Sequence, residues 1–211
     1  MKQAPKAWYD RLIAYLTEHG FKREFANTTL FIRKDKNYFV VTQIYVDDIV
    51  FGATNDSFAQ SFVDEMKKMF EMSMVGELTY FLGLLVKQTD SRIYINQAKC
   101  ARNLVKRFGL HKATHARTPM AANANLTNDP SGESVDVTFY RSMIGCLLYL
   151  SASRPYIAFS VGICSNFQSN PKISHLNAVK RIIKYVNGTC NYGLFYSKES
   201  NLSLAKFSDL D

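Results

Sequence analysis

The run Gln43-Ile-Tyr-Val-Asp-Asp-Ile-Val-Phe51 constrains the fold of this chain more than any other. Two stretches of β-branched and aromatic residues flank the adjacent carboxylates Asp47 and Asp48, a pattern that reads as strand, turn, strand. Between such apolar segments a buried or half-buried carboxylate must neutralise or find a cation, and two side by side also repel each other. A divalent metal meets both demands. Phosphoryl transfer by two ions about 4 Å apart draws on carboxylates from more than one backbone segment, and Mg²⁺ is bound by few carboxylates plus substrate phosphates. The alternative is a surface hairpin turn with both side chains in water, since Asp is common in turns. Against it, a simple type I′ turn favours Asn-Gly or Asp-Gly, and no glycine occurs in this run before Gly52.

The pattern around the hairpin predicts an α+β chain. Pro5 opens an amphipathic helix with Trp8, Leu12, Tyr15 and Leu16 on one face and Gly20 beyond its end. Thr29–Arg33 and Tyr38–Ile44 read as strands joined through Lys34-Asp-Lys-Asn37, and Ile49–Ala53 as another. Ser57 is placed to cap a helix whose apolar face is Phe58, Phe62, Met66, Met69 and Phe70, and Gly76 closes that region. Tyr80–Val86 and Ile93–Ile95 read as a hairpin. The second half turns helical. Gln97–Phe108 shows Ala98, Ala101, Leu104, Val105 and Phe108 on one face and Lys99, Arg102, Lys106 and Arg107 on the other, with Gly109 as its stop. A polar linker at Asn123–Glu133 precedes helices expected at Thr138–Ser151, Pro155–Phe167 and Ser174–Asn187, then strands at Tyr192–Tyr196 and Leu202–Phe207. His111, His115 and His175 share no ligand spacing with the cysteines and are read as surface or packing residues.

Charge is distributed unevenly along the 211 residues, whose net value is +8. Residues 1–90 carry eleven Lys/Arg against twelve Asp/Glu, whereas residues 91–198 carry fourteen against three. A field of that kind favours a polyanion, although a solvated basic surface has the same composition. The four cysteines form no zinc-like pair and are read as reduced, implying an intracellular, cytoplasmic or nuclear protein. No leader and no stretch of membrane-spanning length is seen, so neither secretion nor a membrane is expected.

Several motifs, in order, resemble the reverse transcriptase region of copia-type retrotransposon Pol polyproteins. Tyr45-Val-Asp-Asp48 is similar to the Tyr-x-Asp-Asp hairpin, and Lys2-Gln-Ala-Pro-Lys-Ala-Trp8 to a segment that precedes it in the family. Phe70-Glu-Met-Ser-Met-Val-Gly-Glu-Leu78 with Phe81-Leu-Gly-Leu84 resembles the approach to the primer grip. Arg117-Thr-Pro-Met120, Tyr140-Arg-Ser-Met-Ile-Gly-Cys-Leu-Leu-Tyr149, Ser153-Arg-Pro155 and His175-Leu-Asn-Ala-Val-Lys-Arg181 also match, so the likeness runs along essentially the whole chain. Tyr156 departs from it, standing where the family usually has aspartate.

The resemblance implies a partial polymerase palm over residues 1–96, with an antiparallel sheet and helices on one face. A thumb-like basic helix and linker would follow over 97–134, a helical connection-like region over 135–198, and the first strand of a ribonuclease H-like domain over 199–211. It implies that Asp47 and Asp48 are catalytic ligands of Mg²⁺ or Mn²⁺, that Tyr45 meets the primer terminus, and that Phe81, Leu82, Gly83 and Leu84 form the primer grip. Lys99, Arg102, Lys106 and Arg107 would contact an RNA–DNA or DNA primer–template duplex, and Asp209 corresponds to a ribonuclease H aspartate. In the family, another aspartate completes the metal site from a strand preceding the Lys-Gln-Ala-Pro segment. This chain starts at Met1, so weak metal binding and no polymerase activity alone are expected, unless another polypeptide supplies that strand. The alternatives are a non-catalytic nucleic-acid binder using the basic helices Gln97–Phe108 and Ser174–Asn187, or an unselected remnant of a mobile element.

Overall fold

The computed structural model describes residues 4–121 and 126–197. The expected strand Leu202–Phe207, Asp209 and part of the polar linker lie outside them. The chain forms two compact units, Met1–Glu77 and Leu78–Asp211, and the architecture is α+β as expected, with antiparallel sheets and six helices among the described residues.

In the first unit, helix α1 (Ala4–Glu18) buries Leu12, Tyr15 and Leu16 of the predicted stripe, with Trp8 half-buried against the same core. Gly20, at φ 83°, turns the chain out of the helix, and the Phe21 amide donates back to the Leu16 carbonyl. Strands β1 (Lys22–Arg23), β2 (Leu30–Asp35), β3 (Tyr38–Tyr45) and β4 (Asp48–Ala53) follow in antiparallel order β1-β2-β3-β4. The β2–β3 loop is shorter than the four polar residues suggested. Asp35 pairs with Tyr38, and Lys36 takes φ 52°, so only Lys36 and Asn37 make the turn.

Helix α2 (Asp56–Met69) is capped by Asn55 and not by Ser57. The Asn55 carboxamide oxygen accepts from the Phe58 amide at 2.8 Å, and the Ser57 hydroxyl donates to the same oxygen. Its buried face is Phe62, Val63 and Met66, continued by Phe70; Met69 points to solvent, a correction to the expected stripe. Alternation in β3 sends Val40, Thr42 and Ile44 inward with Phe31 of β2. Both helices cover that face, with the Phe62 and Phe51 rings 5.0 Å apart and Tyr15 edge-on to Phe70. The Arg33 guanidinium, stacked over Phe21 and Phe58, pairs with Glu65 of α2 at 2.7 Å.

In the second unit, β5 (Tyr80–Phe81), β6 (Leu84–Thr89), β7 (Arg92–Asn96) and β8 (Gly193–Ser197) form a second antiparallel sheet in that order. Tyr80–Val86 is therefore not one strand. Leu82 and Gly83, at φ 49° and 79°, break it into a tight hairpin of the I′ kind. Strands β5 to β7, which the resemblance groups with a palm over residues 1–96, lie in this unit, where β7 takes β8 as its neighbour.

Four helices make the rest: α3 (Ala98–Arg107), α4 (Val137–Ser151), α5 (Pro155–Ser165) and α6 (Ile173–Gly188). Their core is Leu104, Tyr140, Ile144, Leu147, Ile157, Val161, Val179 and Ile183 with their neighbours. Helix α5 ends two residues before the expected Phe167, which instead stacks on the buried His175 ring at 3.9 Å. His175 Nδ1 accepts from the Lys172 amide, so Nε2 carries the proton and donates to the Thr127 carbonyl. His175 is thus a packing residue. All four cysteines are free thiols, and burial pushes Cys164 up to about 11. None of the described helices is long and apolar enough to cross a membrane.

Candidate functional site

Tyr45 pairs with Asp48 across β3 and β4, which leaves Val46 and Asp47 as a two-residue loop. Val46 adopts φ 55°. Positive φ at the first loop position matches the right-handed twist of the flanking strands, and glycine is the usual occupant. A β-branched residue there is an outlier, and holding it costs about 1–3 kcal/mol. The cross-strand pair Tyr45 and Asp48 shares the sheet face opposite α1 and α2, because residues 40, 42 and 44 of β3 point toward the helices. Asp47 occupies the tip.

Both carboxylates are exposed. This corrects the expectation that they are buried or half-buried between apolar strands: the strands end at Tyr45 and begin again at Asp48, so the pair stands where the apolar pattern stops. Exposed to water, the two carboxylates need no cation to offset desolvation, and they stand as a pair of adjacent hard oxygen donors on a hairpin tip. Among the described residues, no three His, Cys, Asp or Glu side chains gather as a metal cluster. Beside the hairpin, Gln43 lies on the Tyr45 face. Its carboxamide accepts from the Asn27 side chain and donates to the Thr29 hydroxyl, fastening the loop before β2 to β3. Neither the Val46 outlier nor this bracing was read from the sequence. The absence of glycine from the loop was the only available signal for the first.

The other expected site residues lie in the second unit. Phe81, Leu82, Gly83 and Leu84 form the β5–β6 turn, where the Leu82 carbonyl accepts from the Tyr149 hydroxyl of α4. A Cβ on Gly83 would collide with that hydroxyl, so both backbone angle and space require glycine there. In the sequence Tyr149, the residue that seats this turn, stands only as the end of the longer motif Tyr140–Tyr149.

On α3, Lys99, Arg102, Lys106 and Arg107 are all exposed opposite Ala101, Leu104 and Val105. Arg102 donates to the Asn191 carboxamide at 3.0 Å, and the Arg107 guanidinium lies 5.4 Å from the Phe108 ring centre. Lys180, Arg181 and Lys184 of α6 are half-buried, and Arg181 donates to the Thr118 hydroxyl. The α6 cations are thus less available than those of α3.

Comparison with known proteins agrees with this arrangement of motifs. The family model for reverse transcriptase (RNA-dependent DNA polymerase) matches residues 1–122. The whole chain aligns with the retrovirus-related Pol polyproteins from transposons RE1 and RE2 of Arabidopsis thaliana, at 35% and 32% identity, and spans 14% of the length of each. A putative transposon Ty5-1 protein of Saccharomyces cerevisiae is 27% identical over 99% of this chain and 68% of its own length. No solved structure matches. With a family model covering more than half of its residues, the chain belongs to the reverse transcriptase (RNA-dependent DNA polymerase) family, of the kind carried by copia-type retrotransposon Pol polyproteins.

Proposed function

We propose that this chain supplies the metal-binding hairpin and a nucleic-acid-holding unit for RNA-directed DNA synthesis, and that it does not polymerise on its own. The observation that carries the reading is the β3–β4 tip, where a strained Val46 turn holds Asp47 and Asp48 in the open beside Tyr45. Strain of this sort concentrates at functional sites. The donor chemistry fits Mg²⁺ or Mn²⁺: Mg²⁺ takes one or two carboxylates and completes its shell with water and substrate phosphates. Such an ion would neutralise the charge that builds on the transferring phosphoryl group.

Asp47 and Asp48 would hold the ion, and the Tyr45 ring, beside Asp48, would meet the primer terminus. The β5–β6 turn at Phe81–Leu84, seated by Tyr149, would brace the primer strand, and α3 would track the duplex backbone. Two carboxylates from one turn fall short of the two-ion clamp, which needs ligands from a second backbone segment. That segment, from the same polyprotein or from another polypeptide, is the partner the site requires. The exposed cations of α3 also favour a second reading, nucleic-acid binding without catalysis, in which the carboxylates have no task.

The test is Mn²⁺ added to isotopically labelled chain in the presence of a nucleoside triphosphate, with NMR line broadening as readout. We expect broadening centred on residues 45–48, abolished by Asp47→Asn with Asp48→Asn. Broadening that is absent from the hairpin, or unchanged in the double variant, would sink the metal-binding reading.

A further inference from the structure

The second sheet has a face that the polymerase reading does not use. None of the residues of β5–β8 enters the buried core formed by α3 to α6. The register sorts their side chains into two sets. Val86, Ile95 and Leu194 align across β6, β7 and β8 on one face, and Lys87, Tyr94 and Phe195 align on the other. Arg92, two residues before Tyr94, lies on the Lys87 face as well, and its guanidinium stands 5.7 Å from the Phe195 ring centre. Phe195 is 56% exposed, and Tyr80, on the same face through its pairing with Leu85, is 53% exposed.

The charge on this face has one sign. Lys87 and Arg92 are the cations of these four strands, and none of the strands contains a carboxylate. The Tyr94 hydroxyl donates to the Asn191 carbonyl, and the Asn191 carboxamide accepts from Arg102. This chain of bonds fixes the Tyr94 ring and links the sheet face to the basic side of α3. An apolar partner would leave the cations of the same row without a counter-charge, and a duplex would hide the faces of its bases. Unpaired bases offer a π-face for each ring, and their backbone offers a phosphate for each cation.

We propose that this face of β5–β8 is a platform for single-stranded nucleic acid, on which Phe195 and Tyr94 stack unpaired bases while Lys87 and Arg92 contact the phosphates. The platform belongs to the second unit and does not depend on metal binding at the β3–β4 hairpin.

The experiment is fluorescence anisotropy with the full chain and labelled oligo(U), oligo(dU) and a blunt duplex of equal length. Binding of either single strand supports the platform, and the tighter one identifies the sugar. Phe195→Leu should weaken single-strand binding by about fivefold or more, the effect of losing one stacking ring, and leave the duplex unchanged. Lys87→Gln with Arg92→Gln should lower the single-strand salt slope by about 1.4. Phe195→Trp should keep the affinity, and its fluorescence should be quenched by oligonucleotide beyond any response of Trp8. Mn²⁺ broadening at residues 45–48 is read independently of single-strand binding, so failure of the hairpin reading shows separately. Wild-type binding by a folded Phe195→Leu chain, equal losses for single strand and duplex, or no quenching in Phe195→Trp would overturn the proposal. The last readout decides the matter if Phe195→Leu does not fold.

Discussion

Val46 holds the backbone angle that makes the hairpin tip, and it does so against its own preference. Glycine at this position would adopt φ 55° without the Cβ clash, at some cost in unfolded-state entropy. Val46→Gly should therefore stabilise the chain by about 1 kcal/mol in urea unfolding; a variant no more stable than the parent would show that little strain is stored there. Glu65 is a second residue with a measurable signature. Burial raises its carboxyl, but the hydrogen bonds and charge of Arg33 more than offset that, leaving it below the ordinary value of 4.5. A carboxylate depressed in the folded state stabilises fully above its unfolded value and loses that contribution as pH falls through the folded one. Glu65→Gln should cost about 0.5–1 kcal/mol at neutral pH, the range of a partly exposed pair, and the deficit should shrink once pH drops below 4.5. A deficit equally large in acid would place its origin in packing. Arg33 and Glu65 are 32 positions apart, so only the pairing of β2 with the α2 face reveals them as partners.

At the scale of elements, α3 is the clearest case of sequence pattern surviving into structure. Its apolar residues are buried and its four cations exposed as the periodicity requires. If that face lies along a duplex backbone, each phosphate contact should release counterions and contribute a log–log salt slope of about −0.9. Replacing Lys99, Arg102, Lys106 and Arg107 by Gln keeps helix propensity nearly unchanged. The variant should bind primer–template duplex more weakly, with a slope reduced by roughly two to four units and little dependence on base sequence. An unchanged slope in a variant with native circular dichroism would leave α3 as a solvated face. Other elements were less legible. Asn55 and Ser57 both have cap chemistry, and the choice fell to Asn55 because its extended backbone lets the side chain reach the Phe58 amide. The break at Leu82 and Gly83 was hidden because an apolar run reads the same whether it is one strand or two short ones.

For the whole molecule, the donor set sets the expectation for activity. The isolated chain should incorporate no nucleotide on a primer–template above the level of an Asp47→Ala, Asp48→Ala control, with Mg²⁺ or Mn²⁺, since one turn cannot clamp two ions. Template-dependent extension above that control would refute the reading. The family, the α+β class and most helices were legible in the sequence, because periodicity, caps and ordered motifs are local properties written into neighbouring residues. Three matters needed the tertiary structure. The exposure of Asp47 and Asp48 depended on where β3 and β4 stop pairing, which a run of apolar residues does not mark. The union of β7 with β8 joins Arg92 to Ser197, a contact across about half the chain that no local pattern encodes. The platform of Lys87, Tyr94 and Phe195 exists only through that register, since side chains from distant strands share a face by pairing and not by spacing.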